Sequence, residues 1–225
     1  MDTKKANLPH PTVSLYQVWY ELVEKYNSDK ELTDRFFKEI EKKYTSSKRH
    51  YHNLRHIQVL LQLCDDYSNR LTDKEVVAFA VFYHDIIYNV LRKDNEPRSA
   101  VLAVKRLHAL GVSDHKTEQV KLFIEATQTH AVTGAVADTE DLKLFLDFDM
   151  SILGAPWPEY EAYTQQVRKE YRIYPDKLYI PGRTKFLQHC LQSPFIFQTN
   201  IFRDQYEAVA RQNIAKELDA LRPGN

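Results

Sequence analysis

Apolar residues recur at the spacing of an α-helix through almost the whole chain, and this periodicity restricts the fold more than any other feature. The stretches VSLYQVWYELVEKY and DKELTDRFFKEIEKKY each place an apolar stripe along one face of a helix, and similar stretches follow towards the C-terminus. The chain has only five glycines, and the alternation typical of strands is scarce. We therefore predict an all-α fold, a helical bundle of about eight to ten helices.

Several helix ends are predicted from capping residues. Asp29 and Ser113 precede stretches of helical periodicity and are expected to act as N-caps. Thr72, followed three residues later by Glu75, has the spacing of a capping box. Gly111 follows a periodic stretch and is expected to close that helix in a left-handed conformation. Pro158 is expected near the start of the helix in PWPEYEAYTQQVRKEYRIY, and PGRTKFLQHCLQ is the next predicted helical stretch.

Length and charge limit the kind of protein this is. We expect 225 residues to form one domain, residues 1–225. The 31 Lys and Arg residues balance the 31 Asp and Glu residues, which argues against nucleic-acid or anionic-membrane binding driven by bulk charge. The N-terminus lacks the apolar region of a signal peptide, and no apolar stretch is long enough for a membrane span. Two distant cysteines, Cys64 and Cys190, are expected to be unpaired core thiols, so a cytoplasmic location is predicted.

The pair His84–Asp85 interrupts an apolar stretch, VVAFAVFYHDIIYNVL, that is predicted to form one helix buried on most sides. A charged carboxylate buried alone costs far more free energy than a fold can spare. A cation is one natural partner, and the neighbouring imidazole can share it. The alternative is a core histidine hydrogen-bonded to a structural aspartate.

Three other segments also place histidine or aspartate where apolar residues are expected. YHNLRH places His52 and His56 one helical turn apart, although His52 could equally be a solvated or capping residue. In LFLDFDMSILG, Asp147 and Asp149 are two apart and cannot share a helical face, so only one is expected to point at a site. The other would cap a helix or face water. EATQTH adds His130 at a helix end, where a surface or capping role is the alternative.

Together these residues predict a metal site built from neighbouring helices. Helix bundles often form such sites from inward-facing side chains. Imidazole and carboxylate ligands suit Mn²⁺, Fe²⁺, Co²⁺, Ni²⁺ or Zn²⁺. Mg²⁺ is a further option, and the site would hold one or two ions.

The order of these residues resembles a known ligand pattern. His56, then His84–Asp85, then Asp149 is similar to the H…HD…D pattern of the HD-domain superfamily of metal-dependent phosphohydrolases. Local strings resemble an uncharacterised bacterial group within it, that of the predicted metal-dependent HD-superfamily phosphohydrolases. The matching region covers about residues 49–174, and its strings are YHNLRHI, YHDIIYN, DNEPRSA, FLDFDMSILG and YTQQVRKEY.

The resemblance implies a single HD-type domain with a metal-site core at residues 49–174 and C-terminal helices at residues 181–222 packing on it. It implies four metal ligands, which are His56, His84, Asp85 and Asp149. Asp149 is favoured over Asp147 because it fits the tail of its string.

The activity implied is hydrolysis of a phosphomonoester or phosphodiester, with a nucleotide as one candidate, by a metal-activated water. Asp85 could bridge two ions, and His52 and His130 match positions that could serve a second ion or contact phosphate. Some HD nucleotidases carry a glutamate one turn after the HD pair. Here Glu96 is the nearest candidate for that acid or base role, with a salt bridge to Arg98 or a helix-start charge as the alternative.

Cationic side chains would be needed beside an anionic substrate. Arg55 and Arg168 are the expected substrate-binding residues, each with a solvated charge or surface ion pair as the alternative. Two other functions stay open: a non-catalytic metal- or nucleotide-binding protein, and a di-iron oxygenase of the HD type. A homodimer is a further option.

Overall fold

The computed structural model describes residues 14–132 and 139–222, and all regular secondary structure in these residues is helical. This confirms the all-α prediction, and ten of the described helices have nine or more residues. The helices are α1 (Leu15–Val23), α2 (Lys30–Tyr44), α3 (Leu54–Asp66), α4 (Lys74–Tyr83), α5 (Asn95–Leu110), α6 (Asp114–Ala126), α7 (Glu140–Met150), α8 (Trp157–Glu170), α9 (Asp176–Gln192), α10 (Asn200–Phe202) and α11 (Ala208–Ala220). None of them combines the length and the hydropathy needed to cross a bilayer.

The described residues form two compact units. We call the described residues up to Leu146 the N-terminal unit and those from Asp147 onwards the C-terminal unit. The boundary falls inside α7, which is one continuous helix.

Helix α4 is the most deeply buried element of the N-terminal unit. Every residue from Val76 to Tyr83 is buried. The indole of Trp19 in α1 meets the rings of Phe82 and Tyr83 edge-on, with centroids 5.2 and 6.0 Å apart. Edge-to-face aromatic packing adds stability beyond the area buried. The core therefore fixes the position of the C-terminal end of α4, where His84 follows.

Most of the predicted helix caps are confirmed. The side chain of Asp29 accepts a hydrogen bond from the backbone N–H of Leu32 at 3.0 Å, and that of Ser113 accepts one from Lys116 at 3.5 Å. Gly111 adopts φ +81°, the left-handed conformation that glycine takes at lowest cost.

The predicted capping box at Thr72 and Glu75 is wrong. Asp73 caps α4 instead, because its side chain accepts from the backbone N–H groups of Glu75 and Val76. The backbone N–H of Thr72 donates to the buried carboxylate of Asp141 at 2.8 Å. The Glu75 side chain does not cap the helix and instead bonds to residues just after α1 and to Lys116 of α6.

Glu75 lies in a partly buried network of opposite charges. Its carboxylate accepts from Lys25 at 2.7 Å and from Lys116 at 2.6 Å, and the hydroxyl of Tyr26 also donates to it. Burial raises the pKa of the Glu75 carboxyl, but the hydrogen bonds from Lys116 and Lys25 outweigh burial and bring it to about 2. The ionised form is therefore stabilised by folding.

We expect Glu75→Gln to lower the free energy of unfolding at pH 7 by about 1 kcal/mol, after allowance for solvent screening. The difference from the unchanged protein should disappear as pH falls from the ordinary glutamate pKa of 4.5 to the folded value of about 2. Urea unfolding at several pH values measures it. Glu118→Gln removes an exposed pair with Lys121 and is the control, with little expected effect. A pH-independent loss for Glu75→Gln would contradict the account.

In the C-terminal unit, helix α9 begins at Asp176, five residues before residue 181, where the C-terminal helices were predicted to begin. Pro181 lies inside the helix, where it lacks the N–H that would bond to the carbonyl of Lys177. Pro175 occupies the N-cap position of α9, and Pro158 stands in the first turn of α8, near the helix start as predicted.

Gly154 ends the string FLDFDMSILG because a side chain does not fit there. A Cβ atom at this position would lie 2.6 Å from the Cβ of Tyr206 and 2.9 Å from its carbonyl oxygen. Tyr206 is 2% exposed, and its ring centroid lies 5.1 Å from that of Phe202 and 5.9 Å from that of Phe197, so it cannot move aside without disturbing that packing.

Gly154→Ala is expected to lower the free energy of unfolding by about 2 kcal/mol. Gly182→Ala is the matched control, because a Cβ there meets nothing within 4 Å and alanine favours a helix. Denaturant unfolding compares the two variants. Equal stability of both variants would mean that the close approach of Tyr206 does not exclude a side chain at position 154.

Both cysteines are buried, free thiols. Burial raises the pKa of Cys64 to about 12 and that of Cys190 to about 11. Since the thiolate is the reactive form, both are expected to be inert at neutral pH.

Candidate metal site

Helix α4 ends at Tyr83, so the prediction of one helix through His84 and Asp85 is wrong. His84 occupies the C-cap position, its N–H bonded to the carbonyl of Ala80, and the chain then turns. The pair His84–Asp85 therefore lies at a helix end and not on a continuous helical face.

Side chains at the start of α5 hold the turn that follows. Ser99 accepts from the backbone N–H of Ile87 at 3.0 Å and donates to its carbonyl at 3.3 Å. Asn95 makes the same pair of contacts with the backbone of Asn89, at 3.0 and 3.1 Å. These bonds replace the helical ones, which is why α4 stops although the sequence stays apolar. They also give Asn95 and Ser99 of the string DNEPRSA a structural role that the sequence analysis did not predict.

A hydrogen bond between one ring nitrogen and a backbone carbonyl fixes the orientation of the His84 ring. His84 is 1% exposed, and its Nδ1 lies 2.9 Å from the carbonyl oxygen of Val81. A carbonyl can only accept, so Nδ1 carries the proton, and in the neutral ring Nε2 presents a lone pair. A carbonyl that orients a ligating imidazole in this way is common in metal sites.

Three further ligand candidates approach this nitrogen. His56 on α3 is 4% exposed, and its Nε2 lies 3.2 Å from Nε2 of His84. The Asp85 carboxylate lies 3.2 Å from the same atom. A group of three candidate ligands is made by His56, His84 and Asp149. Each offers one ligand atom, and these three atoms lie within 4.8 Å of one another. This group can hold a metal ion.

The spacing of the two imidazole nitrogens fits a shared cation. Two ligands each about 2.1 Å from an ion, at angles between octahedral and tetrahedral, are about 3.0–3.4 Å apart. The 3.2 Å between the Nε2 atoms lies in this range. A donor set of imidazoles and carboxylates suits divalent transition metals.

The two aspartates of α7 serve different purposes. Asp147 is 1% exposed, and its oxygens accept from the backbone N–H groups of Gln198 and Thr199 at 2.6 and 2.8 Å. The Thr199 hydroxyl also donates to it at 2.6 Å. Burial raises the pKa of Asp147 to about 6, against the lowering effect of these hydrogen bonds. Asp147 therefore caps the segment that leads into α10, while Asp149 is the residue grouped with the histidines.

His52 lies outside α3, so it does not share a helical face with His56 as predicted. Asn53 caps the helix, and His52 stands in the turn before it. The His52 ring is still close to the site: its centroid lies 5.9 Å from that of His56 and 4.5 Å from that of Tyr88. The half-buried rings of His52 and Tyr88 thus lie against each other, beside the buried His56.

His130 and Glu96 are both half-buried in the N-terminal unit. His130 follows α6 with φ +50°, a left-handed conformation that is rare for a histidine. Glu96 stands in the first turn of α5, one residue after Asn95. Their catalytic roles stay predictions.

The two predicted substrate-binding arginines have different surroundings. Arg55 is exposed in the first turn of α3, next to His56. Arg168 donates to the carbonyls of Tyr171 and Tyr174 and to the carboxylate of Asp176, and its guanidinium covers the Tyr179 ring. Arg168 therefore joins the end of α8 to the start of α9 within the C-terminal unit.

Two residues that support the site, Tyr44 and Arg49, were not predicted from the sequence. The Tyr44 hydroxyl accepts from the backbone N–H of Asp85 at 3.2 Å. Arg49 donates to the carbonyls of His52 and Ile86, both at 3.1 Å. Arg49 stands two residues before YHNLRHI, and no pattern in the sequence marks it as a partner of backbone carbonyls.

Comparison with known proteins assigns no family to this chain. The sequence matches no protein-family model and no curated protein.

Proposed function

We propose that this chain is a metal-dependent phosphohydrolase. The observation that carries the proposal is the buried pair of imidazoles whose Nε2 atoms lie 3.2 Å apart, with the Asp85 carboxylate 3.2 Å from one of them. Two buried histidines placed this close need a shared proton or a shared cation. The nearby carboxylates of Asp85 and Asp149 favour a cation.

The proposed ligands are His56, His84, Asp85 and Asp149, and the resemblance to the HD pattern supports the set. The ion would be Mn²⁺, Fe²⁺, Co²⁺, Ni²⁺ or Zn²⁺, with Mg²⁺ as a further option. When bound, such an ion activates a water molecule and neutralises charge on a phosphoryl group. The substrate would be a phosphomonoester or phosphodiester, with a nucleotide as one candidate.

The chain's own residues prepare this site in three ways. The Val81 carbonyl keeps the His84 ring in one orientation and one tautomer. The hydroxyl of Tyr44 holds the backbone at Asp85. The core around α4 keeps both histidines buried, which strengthens their electrostatic interaction with a cation.

Reconstitution with metal tests the function. The purified protein is stripped with a chelator, and Mn²⁺, Fe²⁺, Co²⁺, Ni²⁺, Zn²⁺ or Mg²⁺ is then added. Phosphate release is measured from p-nitrophenyl phosphate, its bis-ester and a panel of nucleotides. We expect release only with added ion. A bound ion without release of phosphate would instead support a metal-binding protein, and visible absorbance that depends on iron would support a di-iron oxygenase.

A further inference from the structure

Arg49 contacts both chain segments that carry the histidine ligands. One guanidinium nitrogen, Nη1, donates to the carbonyl of His52 at 3.1 Å, four residues before His56. The other, Nη2, donates to the carbonyl of Ile86 at 3.1 Å, two residues after His84. A single planar group thus joins the turn before α3 to the turn after α4.

Aromatic rings hold this guanidinium in place. Its carbon lies 4.6 Å from the ring centroid of Tyr44 and 5.3 Å from that of Tyr88. Tyr44 is fully buried at the end of α2, and its hydroxyl accepts the backbone N–H of Asp85. The ring that supports Arg49 therefore also fixes the backbone of a proposed ligand. Stacked guanidinium groups of this kind lose little further freedom when they form hydrogen bonds.

We propose that Arg49 is a positioning residue of the metal site, which sets the spacing of His56 and His84 by joining the two turns beside them. The inference rests on the proposed metal site and extends it to a residue that holds no ion itself. Residues that orient metal ligands typically change metal affinity roughly 10–100-fold when they are replaced.

A lysine cannot replace Arg49 in this role. The two accepting carbonyls belong to different turns, and only the rigid fork of a guanidinium donates to both from separate nitrogens while its carbon stays 4.6 Å from the ring centroid of Tyr44. Lysine keeps the charge but donates from one point. The comparison of Arg49→Lys with Arg49→Met therefore separates the effect of charge from that of the two-carbonyl contact.

Arg106 offers a matched control. It is also a half-buried arginine of the N-terminal unit, with its guanidinium 5.0 Å from the ring centroid of Phe36 and two hydrogen bonds to Glu39 at 2.7 and 3.0 Å. None of these partners lies in either of the turns that Arg49 joins. Arg106→Met removes a comparable stacked cation without touching those turns.

The test is the affinity for Mn²⁺ or Co²⁺, measured by chelator competition, together with hydrogen exchange of residues 84–89 in the metal-free protein. Arg49→Lys and Arg49→Met should both bind the ion roughly 10–100-fold more weakly, with faster exchange in this turn. Arg106→Met should keep the affinity of the unchanged protein, whatever its melting temperature.

Unchanged affinity and unchanged exchange in both Arg49 variants would overturn the inference while the metal site stands. An equal loss of affinity in Arg106→Met would overturn it as well, since general stability would then explain the result. A parent protein that binds no ion would overturn the proposed function and this inference together.

Discussion

Replacing His84 with alanine is expected to abolish tight ion binding and to lower kcat/KM for phosphate release by at least about 10³-fold, or about 4 kcal/mol. His84 is the central residue of the site, because its Nε2 lies 3.2 Å from both His56 and Asp85. Its other nitrogen bonds the carbonyl of Val81, so the ring presents Nε2 to the site. Metal content and steady-state kinetics measure the effect.

Asp147→Asn is the control for the His84 variant. Asp147 is as deeply buried as His84, but its oxygens accept only from Gln198 and Thr199 among the contacts that the structure describes. An amide would turn an N–H towards a donor, so we expect a loss of about 1–3 kcal/mol in unfolding free energy with ion binding retained. If Asp147→Asn lost the ion while His84→Ala kept it, the ligand assignment would be wrong.

The largest expected loss of stability comes from Glu217→Ala in the C-terminal unit. Arg183 on α9 donates twice to the Glu217 carboxylate on α11, at 2.8 and 3.0 Å, and both side chains are less than 10% exposed. The hydroxyl of Tyr160 also donates to Glu217, and Arg183 donates to the hydroxyl of Tyr163. Removal of the carboxylate leaves a buried guanidinium without its counter-charge, which typically costs about 3–5 kcal/mol.

A double variant separates the loss of the pair from the exposure of one charge. Arg183→Met with Glu217→Leu removes both charges and fills similar volume, so it should be more stable than Glu217→Ala alone. Urea unfolding of the single and double variants measures both effects. A double variant no more stable than Glu217→Ala would contradict this explanation. The loss of stability would then come from the missing ion pair itself and not from an uncompensated Arg183 charge.

The fold class and most helix caps could be predicted from the sequence because both depend on local patterns. Apolar spacing indicates a helix wherever it occurs, and Asp29, Ser113 and Gly111 act on the chain next to them. The end of α4 could not be predicted in this way. The apolar pattern continues past His84, and the bonds that stop the helix come from Asn95 and Ser99 on another element.

The residues of the candidate site could be proposed from the sequence, but their arrangement could not. Buried histidine and aspartate among apolar residues are visible in a sequence, and so is the rule that Asp147 and Asp149 cannot share a helical face. Which aspartate faces the histidines depends on Gln198 and Thr199, some fifty residues away. Arg49 was missed for the same reason, since its partners are backbone carbonyls that any sequence provides.

The most direct test of the metal site is the number of ions bound per chain in the unchanged protein, Asp149→Asn and Asp147→Asn. Each protein is dialysed against Mn²⁺ or Co²⁺ and analysed for metal. We expect near-stoichiometric ion in the unchanged protein and in Asp147→Asn, and a large loss in Asp149→Asn. No ion in the unchanged protein, or equal ion content in all three, would contradict the proposed ligand set.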